Sequence, residues 1–307
     1  MPHHNRPKVF GYNNSKRFFV TAANDTRLGD LLQRELGDKC DVATVIGSGG
    51  VWLGKTRCDF ADMVLQKGDT VKVYITGSQG LAYRLVSEQI IFEDDDVLVV
   101  LKPPGITAVP DRSNLQHNLT YAVSQYLRSK GINYSPAPLT RLDYMVGGLS
   151  LFGKHKAAVA KLTEEMKQRR IHKLYRAIVP DAGELPACKR VRNKLDFFDK
   201  AFVSDQGKDA HSLFFRRALY RGMVVYSVIL LTGRRHQIRA HAAQALQPLL
   251  GDDLYGTLPK GAPRQIGLLA VGLNFTFQRR RYRIRLADES RFWDDIISSN
   301  EESLTKS

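Results

Sequence analysis

Cysteine is scarce in this chain: Cys40, Cys58 and Cys188 are its three, widely spaced and without a CxxC pair in 307 residues. That excludes a disulfide framework and a cysteine zinc site, and it fits thiols kept reduced in a cytoplasm. The eight histidines offer no metal-ligand spacing: His3 and His4 sit in a polar first stretch, and His236 and His241 are five apart. Long apolar runs are missing too. The longest, MVVYSVILL at 223–231, is too short to span a bilayer and contains Ser227. The opening MPHHNRPKVFGYNN lacks the apolar segment of a signal peptide. No metal, no membrane association and no internal repeat is expected.

Acidic residues are also in deficit. Asp and Glu number 31 against 46 Lys and Arg, a net charge of +15. Such an excess favours a polyanionic partner, because each phosphate neutralised releases condensed counter-ions. With 43% hydrophobic and 25% charged residues, the chain has the composition of a globular protein long enough for more than one domain.

Periodicity sets out the organisation. Residues 1–20 are expected to be a leader. Leu28, Leu31, Leu32 and Leu36 fall on one face of a helix, and Asp41 stands where it would cap a second short helix carrying Val42, Val45 and Ile46. GGVWLGKT predicts a hairpin, and Val71, Val73 and Ile75 alternate as in a strand. Residues 78–89 have the composition of a linker. IIFEDDDVLVVLKPPGI predicts two strands around a solvated Asp94–Asp95–Asp96 turn, three consecutive carboxylates being badly placed to converge on one ion. A helix is predicted over 155–170, with Val159, Leu162 and Met166 on one face. KLYRAIV, MVVYSVILL and RRRYRIRL predict strands, the last setting Arg281, Arg283 and Arg285 against Tyr282, Ile284 and Leu286. Residues 293–307 are expected to be a frayed tail.

Three segments carry groups suited to chemistry. Arg141-Leu142-Asp143 offers a carboxylate beside a cation just ahead of an apolar run, and burying such charge is costly unless it is paired or used. KLYRA contributes Tyr175. TGRRHQIRAH opens a helix with Arg234, Arg235, His236 and Arg239, a positive corner able to hold a phosphate or to keep a nearby aspartate ionised. Lys173, the 189–194 run with Arg190 and Arg192, and Arg281 and Arg283 are further candidate phosphate contacts.

Two resemblances follow from these residues. The stretch 21–77, two short helices followed by strands, resembles the S-four fold, a small RNA-binding module, although its second-helix segment DVATVIGSGG has no basic residue. EDDDVLVVLKPPGI, TRLDYMVGGLSLFGK, KLYRAIV, TGRRHQIRAHAAQ…PLLGDDLYG and LLAVGLNF together resemble the RluA-type pseudouridine synthases over nearly all of 86–290. Thr140 stands where that family usually has His, Val146-Gly147-Gly148 where it has Thr-Ser-Gly, and Leu269 where it has His.

The resemblance implies an α+β protein with a mixed, mainly antiparallel sheet, flanking helices and a central cleft over 90–292. It implies isomerisation of uridine to pseudouridine in structured RNA, ribosomal RNA before transfer RNA. Asp143 would be the nucleophile, Arg239 its ionic partner, Tyr175 the ring against the base, and Arg141 the residue filling the gap in the RNA stack. Because the reaction is redox-neutral, no cofactor is expected, and the protein is expected to act as a monomer in the cytoplasm. A non-catalytic RNA-binding or ribosome-assembly factor and a nucleoside hydrolase are the rival readings.

Overall fold

The computed structural model describes residues 16–76, 80–112, 114–256 and 265–304. The chain divides into two compact units, 1–85 with 107–135, and 86–106 with 136–307.

In the first unit β1 (Lys16–Thr21), β2 (Thr26–Arg27), α1 (Leu28–Leu36), α2 (Val42–Gly47), β3 (Val51–Leu53), β4 (Thr56–Arg57), β5 (Val64–Leu65) and β6 (Thr70–Ile75) precede α3 (Leu119–Ser129). The predicted leucine face of α1 is buried, and with Val42, Val45 and Ile46 it packs on Phe18, Val20, Val51, Val71 and Val73. Those residues are the inward half of an antiparallel sheet ordered β1-β6-β3-β4. Asp41 occupies the N-cap position of α2, but its carboxylate accepts from the Thr44 hydroxyl rather than from a backbone N–H.

Residues 16–20, read from the sequence as the end of a leader, are strand β1: Phe18 and Val20 alternate into the core and pair with β6. Residues 1–15 lie outside the described residues, as do 77–79 of the linker region. Residues 107–135 join this unit through tertiary contacts that no local pattern announces. Trp52 Nε1 donates to the Arg112 carbonyl at 3.0 Å and Leu115 N to that of Ser48 at 3.1 Å.

The second unit holds β7 (Ile90–Glu93), β8 (Val97–Lys102), β9 (Gly147–Gly153), α4 (Lys156–Lys167), β10 (His172–Pro180), β11 (Cys188–Phe197), β12 (Ala201–Val203), β13 (Lys208–Tyr220), β14 (Met223–Leu230), α5 (Gln237–Ala245), β15 (Leu268–Phe277), β16 (Arg280–Arg285) and α6 (Ser290–Leu304). Its ten-stranded sheet runs β12-β11-β13-β14-β10-β15-β9-β8-β7, with β16 paired to β15. The β15–β9 pairing is parallel and the other pairings of this sheet are antiparallel. Alternation along β10 splits the core as a pleated strand must: Tyr175, Ala177 and Val179 pack with Ile238 and Ala242 of α5, while Leu174 and Ile178 pack with α6.

The expected tail is therefore corrected. From Ser290 the chain is helix α6, and Trp293, Ile296 and Ile297 are buried against β10 and β15. The Asp94–Asp96 turn is a hub of hydrogen bonds. Asp94 accepts from Val97 N, from Tyr282 and from Arg280, and Asp96 lies 2.9 Å from His155. Among the described residues there is no cluster of three metal-ligating side chains, and no helix is long and apolar enough to cross a membrane.

Candidate active site

One row of the sheet brings the site together. Gly148 of β9 pairs with Ala270 of β15, Ala270 with Tyr175 of β10, and Tyr175 with Val228 of β14. The loop before β9 carries Arg141 and Asp143, and the turn after β14 carries Arg234 and His236 into α5. Both segments meet over one face of the sheet at this row, where Leu142 and Val146 share a core with Tyr175, Val228 and Ile238, around a cleft lined by Arg141, Asp143, Tyr175, Arg234, His236 and Arg239. Gly148 makes this row possible. It has φ +120°, and a Cβ there would stand 2.4 Å from the Ala270 backbone.

Asp143 is the carboxylate of the cleft, with its side chain 28% exposed. Its Oδ2 lies 3.6 Å from Arg239 Nη1 and 3.6 Å from His236 Nε2. These distances are ionic contacts rather than hydrogen bonds, so the carboxylate is held in a positive field with its oxygens still open to the cleft.

Arg239 was expected to pair with Asp143, but the structure gives it a closer partner. Its Nε and Nη2 each donate at 2.8 Å to the two oxygens of Asp252, a residue with no exposed surface. Asp252 Oδ1 also accepts from the Leu254 and Tyr255 backbone N–H groups. Three fork nitrogens are thereby divided: two face Asp252, and Nη1 is left toward Asp143 and, at 3.4 Å, His236 Nε2.

His236 is the residue before α5 and adopts φ 56°, a left-handed conformation unusual for a non-glycine. Its other nitrogen lies 3.3 Å from the Tyr255 hydroxyl, which accepts from Ala201 N at 2.6 Å. Burial first, then the neighbouring Arg239 and Arg235 charges, pull its pKa down to about 4 against the opposing pull of Asp143. The imidazole beside Asp143 is thus neutral at neutral pH. Burial and the Asp143 charge push the Tyr175 phenol up, so it too is neutral.

The turn itself is fixed by Gln237. This buried amide donates to His211 O and Ser212 Oγ and accepts from Thr232 Oγ1 and Arg234 N. On the other side of the cleft, Lys102 has no exposed surface, and its ammonium donates to the carbonyls of Pro103, Ile106 and Tyr144 at 2.8–3.1 Å. Three acceptors match its three N–H groups, and the Tyr144 contact anchors the residue next to Asp143. Thr140 is buried, with its hydroxyl accepting from Leu151 N and its carbonyl from Ser150, which ties the same loop to β9.

Residues 96–244 match the family model described as RNA pseudouridylate synthase. The chain is 30% identical over 179 residues to the dual-specificity RNA pseudouridine synthase RluA of Vibrio cholerae, covering 54% of this chain and 67% of that protein. The chain belongs to the RNA pseudouridine synthase family. It is also 32% identical over 213 residues to the ribosomal large subunit pseudouridine synthase D of Xanthomonas campestris pv. campestris, covering 64% of this chain and 62% of that protein's length. The solved structure of human RNA pseudouridylate synthase domain containing 4 shares the fold, with a TM-score of 0.54 and 18% identity over 65% of this chain and 88% of its own.

Within this member of the family, the other residues read from the sequence distribute unevenly. Arg141 is exposed at the cleft, and Arg234 lines it while donating to the Asp209 carbonyl. Arg235 is exposed with its guanidinium 4.0 Å from the centre of the Phe197 ring. Lys173 is half-buried, its ammonium near Gly233, and burial lowers its pKa. Arg190 and Arg192 stand exposed on β11, and Arg281 and Arg283 on β16; none of these four lines the cleft. Sequence reading missed Asp252, Tyr255, Gln237 and Lys102. Their signals were the TGRRHQIRAH string holding Gln237, the GDDLYG string holding Asp252 and Tyr255, and the Lys-Pro-Pro-Gly stop that begins with Lys102.

Proposed function

We propose that this protein isomerises uridine to pseudouridine in structured RNA, ribosomal RNA before transfer RNA, with Asp143 as the nucleophile. The observation that carries the reading is the solvent-open carboxylate of Asp143 between Arg239 and His236 at the foot of an otherwise cationic cleft. An ionised oxygen can attack the sugar's anomeric carbon as the bond to the base nitrogen breaks. The base turns, carbon-5 rejoins the sugar, the carbon-5 proton leaves and the freed nitrogen takes one up. Atoms and electrons balance without redox or energy input, so no cofactor enters.

Tyr175 is read as the ring against the turning base, since stacking tolerates any orientation of its partner. Arg141 is read as filling the space the flipped base vacates. Arg234, Arg235, His236, Lys173, Arg190, Arg192, Arg281 and Arg283 would contact RNA, and the first unit is read as an S-four-like RNA-binding module. The Xanthomonas relative is named for the large ribosomal subunit, which supports ribosomal RNA as the first substrate to try. Release of tritium from carbon-5-labelled uridine in ribosomal RNA tests the reading. Wild-type protein should release it and Asp143→Asn should not; equal release by both would remove Asp143 from the chemistry.

A further inference from the structure

The first unit presents two very different surfaces. Around α1 the cations have acidic partners: Arg27 pairs with Asp62, Arg34 with Glu35 and Lys39 with Asp38. Helix α2 carries no charge at all in VATVIG.

The opposite face of the sheet is organised otherwise. Strand register sets Phe19 across from Lys72, Lys72 across from Trp52, and Trp52 across from Arg57. One row across all four strands therefore alternates ring, cation, ring, cation and contains no carboxylate. Arg17 and Tyr74 form the adjacent pair of the same face. The cations lie against rings: Arg57 is 4.4 Å and Arg112 5.9 Å from the centre of Trp52, and Arg17 is 5.2 Å from that of Phe19. Arg57 is tied to its own chain, its guanidinium donating to the Gly49 carbonyl and, at 3.1 Å, to that of Asp111, so it braces the Trp52 ring, while Arg112 stands exposed beside that ring. Phe19 is 37% exposed, and Trp52, Lys72 and Tyr74 are half-buried.

We infer that this sheet face, not the helix face, is the RNA-docking surface of the first unit, taking an unpaired RNA strand across Phe19, Lys72 and Trp52, with Arg17 and Arg112 beside the two rings. The inference rests on the reading that the protein acts on RNA and deepens it. Rings at alternate positions offer bases a stacking platform, and Lys72 between them offers a phosphate its charge. An acidic protein partner would use the cations and leave the rings without a function. Strand spacing of about 4.8 Å sets ring-to-ring distance across one intervening strand near 10 Å, so Phe19 and Trp52 would hold bases separated along the RNA rather than adjacent ones.

The protein has two tryptophans, and Trp293 lies in the core of the other unit. Full-length protein carrying Trp293→Phe therefore reports on Trp52 alone. Titration with a single-stranded oligouridylate and with a stem–loop RNA should quench that fluorescence in step with binding followed by anisotropy of the labelled RNA. Adding Phe19→Ser and Lys72→Glu should weaken the single-stranded probe about tenfold and lower its salt slope by about 0.7, the share of one single-strand phosphate contact. Lys72→Gln alone, a milder change, should lower the slope by a similar amount, which guards against misfolding of the double variant. Binding without quenching, unchanged affinity and slope, or equal quenching by polyglutamate would each overturn the inference. Tritium release is scored separately. Quenching without turnover would sink the enzymatic reading and leave the surface standing; turnover without quenching would do the reverse.

Discussion

Arg239 grips Asp252 with two parallel hydrogen bonds of 2.8 Å and turns its remaining terminal nitrogen toward Asp143 at 3.6 Å. The guanidinium is thus oriented from behind by one carboxylate before it meets the other. A single arginine facing Asp143 alone would be free to swing; a fork held at two points is not.

Breaking that grip should be costly. Arg239→Leu leaves Asp252 buried with two backbone N–H donors and no cation, and a broken buried pair costs about 3–5 kcal/mol. Asp252→Leu should cost a similar amount, and the double variant Arg239→Leu with Asp252→Leu should be more stable than the sum of the two losses. Urea unfolding of the four proteins checks this. Additive losses would mean that the two residues do not act as a pair. Turnover should be lost in all three variants.

Asp143→Asn keeps the shape of the side chain and removes its charge. Because the Asp143 side chain is 28% exposed and its carboxylate meets Arg239 and His236 at 3.6 Å, while the backbone bond from Val146 N is kept, stability should change by less than about 1 kcal/mol. Single-turnover isomerisation should fall by at least about a thousandfold. A variant within tenfold of wild type would contradict the nucleophile role.

Two buried histidines make stability depend on acid pH. Burial pulls both His236 and His241 down to about 4 from the ordinary 6.5. His241 is fixed between Ser212 Oγ and Asn193 Oδ1, each at 2.9 Å. Between those pH values the unfolded chain binds the protons and the folded chain does not, so stability rises with pH through the window and is lost as pH falls through it. Unfolding free energy measured from pH 7 to pH 4 should drop with a slope approaching two protons. His241→Gln should remove about one of them, and an unchanged slope would show that His241 is not the group titrating.

Lys102→Met should strip the carbonyls of Pro103, Ile106 and Tyr144 of their shared donor. The Tyr144 carbonyl keeps the Gly105 N–H, but those of Pro103 and Ile106 lose this donor; each unsatisfied buried acceptor costs about 1–3 kcal/mol, so thermal unfolding should shift down by several degrees. Through Tyr144 the loss should also loosen the Asp143 loop and lower single-turnover rate more than RNA affinity. A variant with full turnover would make Lys102 purely structural.

Ile297→Ala tests the helix where a frayed tail was expected. Ile297 has no exposed surface and packs beside Trp293 against Ile178 and Val271. Its truncation should cost about 2–5 kcal/mol in urea unfolding. A loss under about 0.5 kcal/mol would return residues 293–298 to the status of an appendage.

How far the sequence reached can be read from particular elements. Leu28, Leu31, Leu32 and Leu36 announced α1, and the alternation of Tyr282 and Ile284 against arginines announced β16. Local periodicity suffices there because one face of the element meets core and the other meets water. It failed at 16–20, where Phe19 faces out beside the buried Phe18 and Val20 and blurs the two-residue period, and from 293 on, where charged and polar residues dilute the apolar face of α6.

The sequence by itself determined the chemistry on offer: one carboxylate at Asp143, a ring at Tyr175, a cluster of cations from Arg234 to Arg239, and the family motifs that join them. Only the tertiary structure decided who holds whom. Arg239 and Asp252 are 13 residues apart across a turn, and Lys102 reaches the Tyr144 carbonyl 42 residues away. Likewise Phe19, Lys72, Trp52 and Arg57 become one row only through strand register. Periodicity records which face of an element is buried. It does not record which strand lies beside it, because pairing is chosen by the collective burial of many side chains, and no single segment carries that choice.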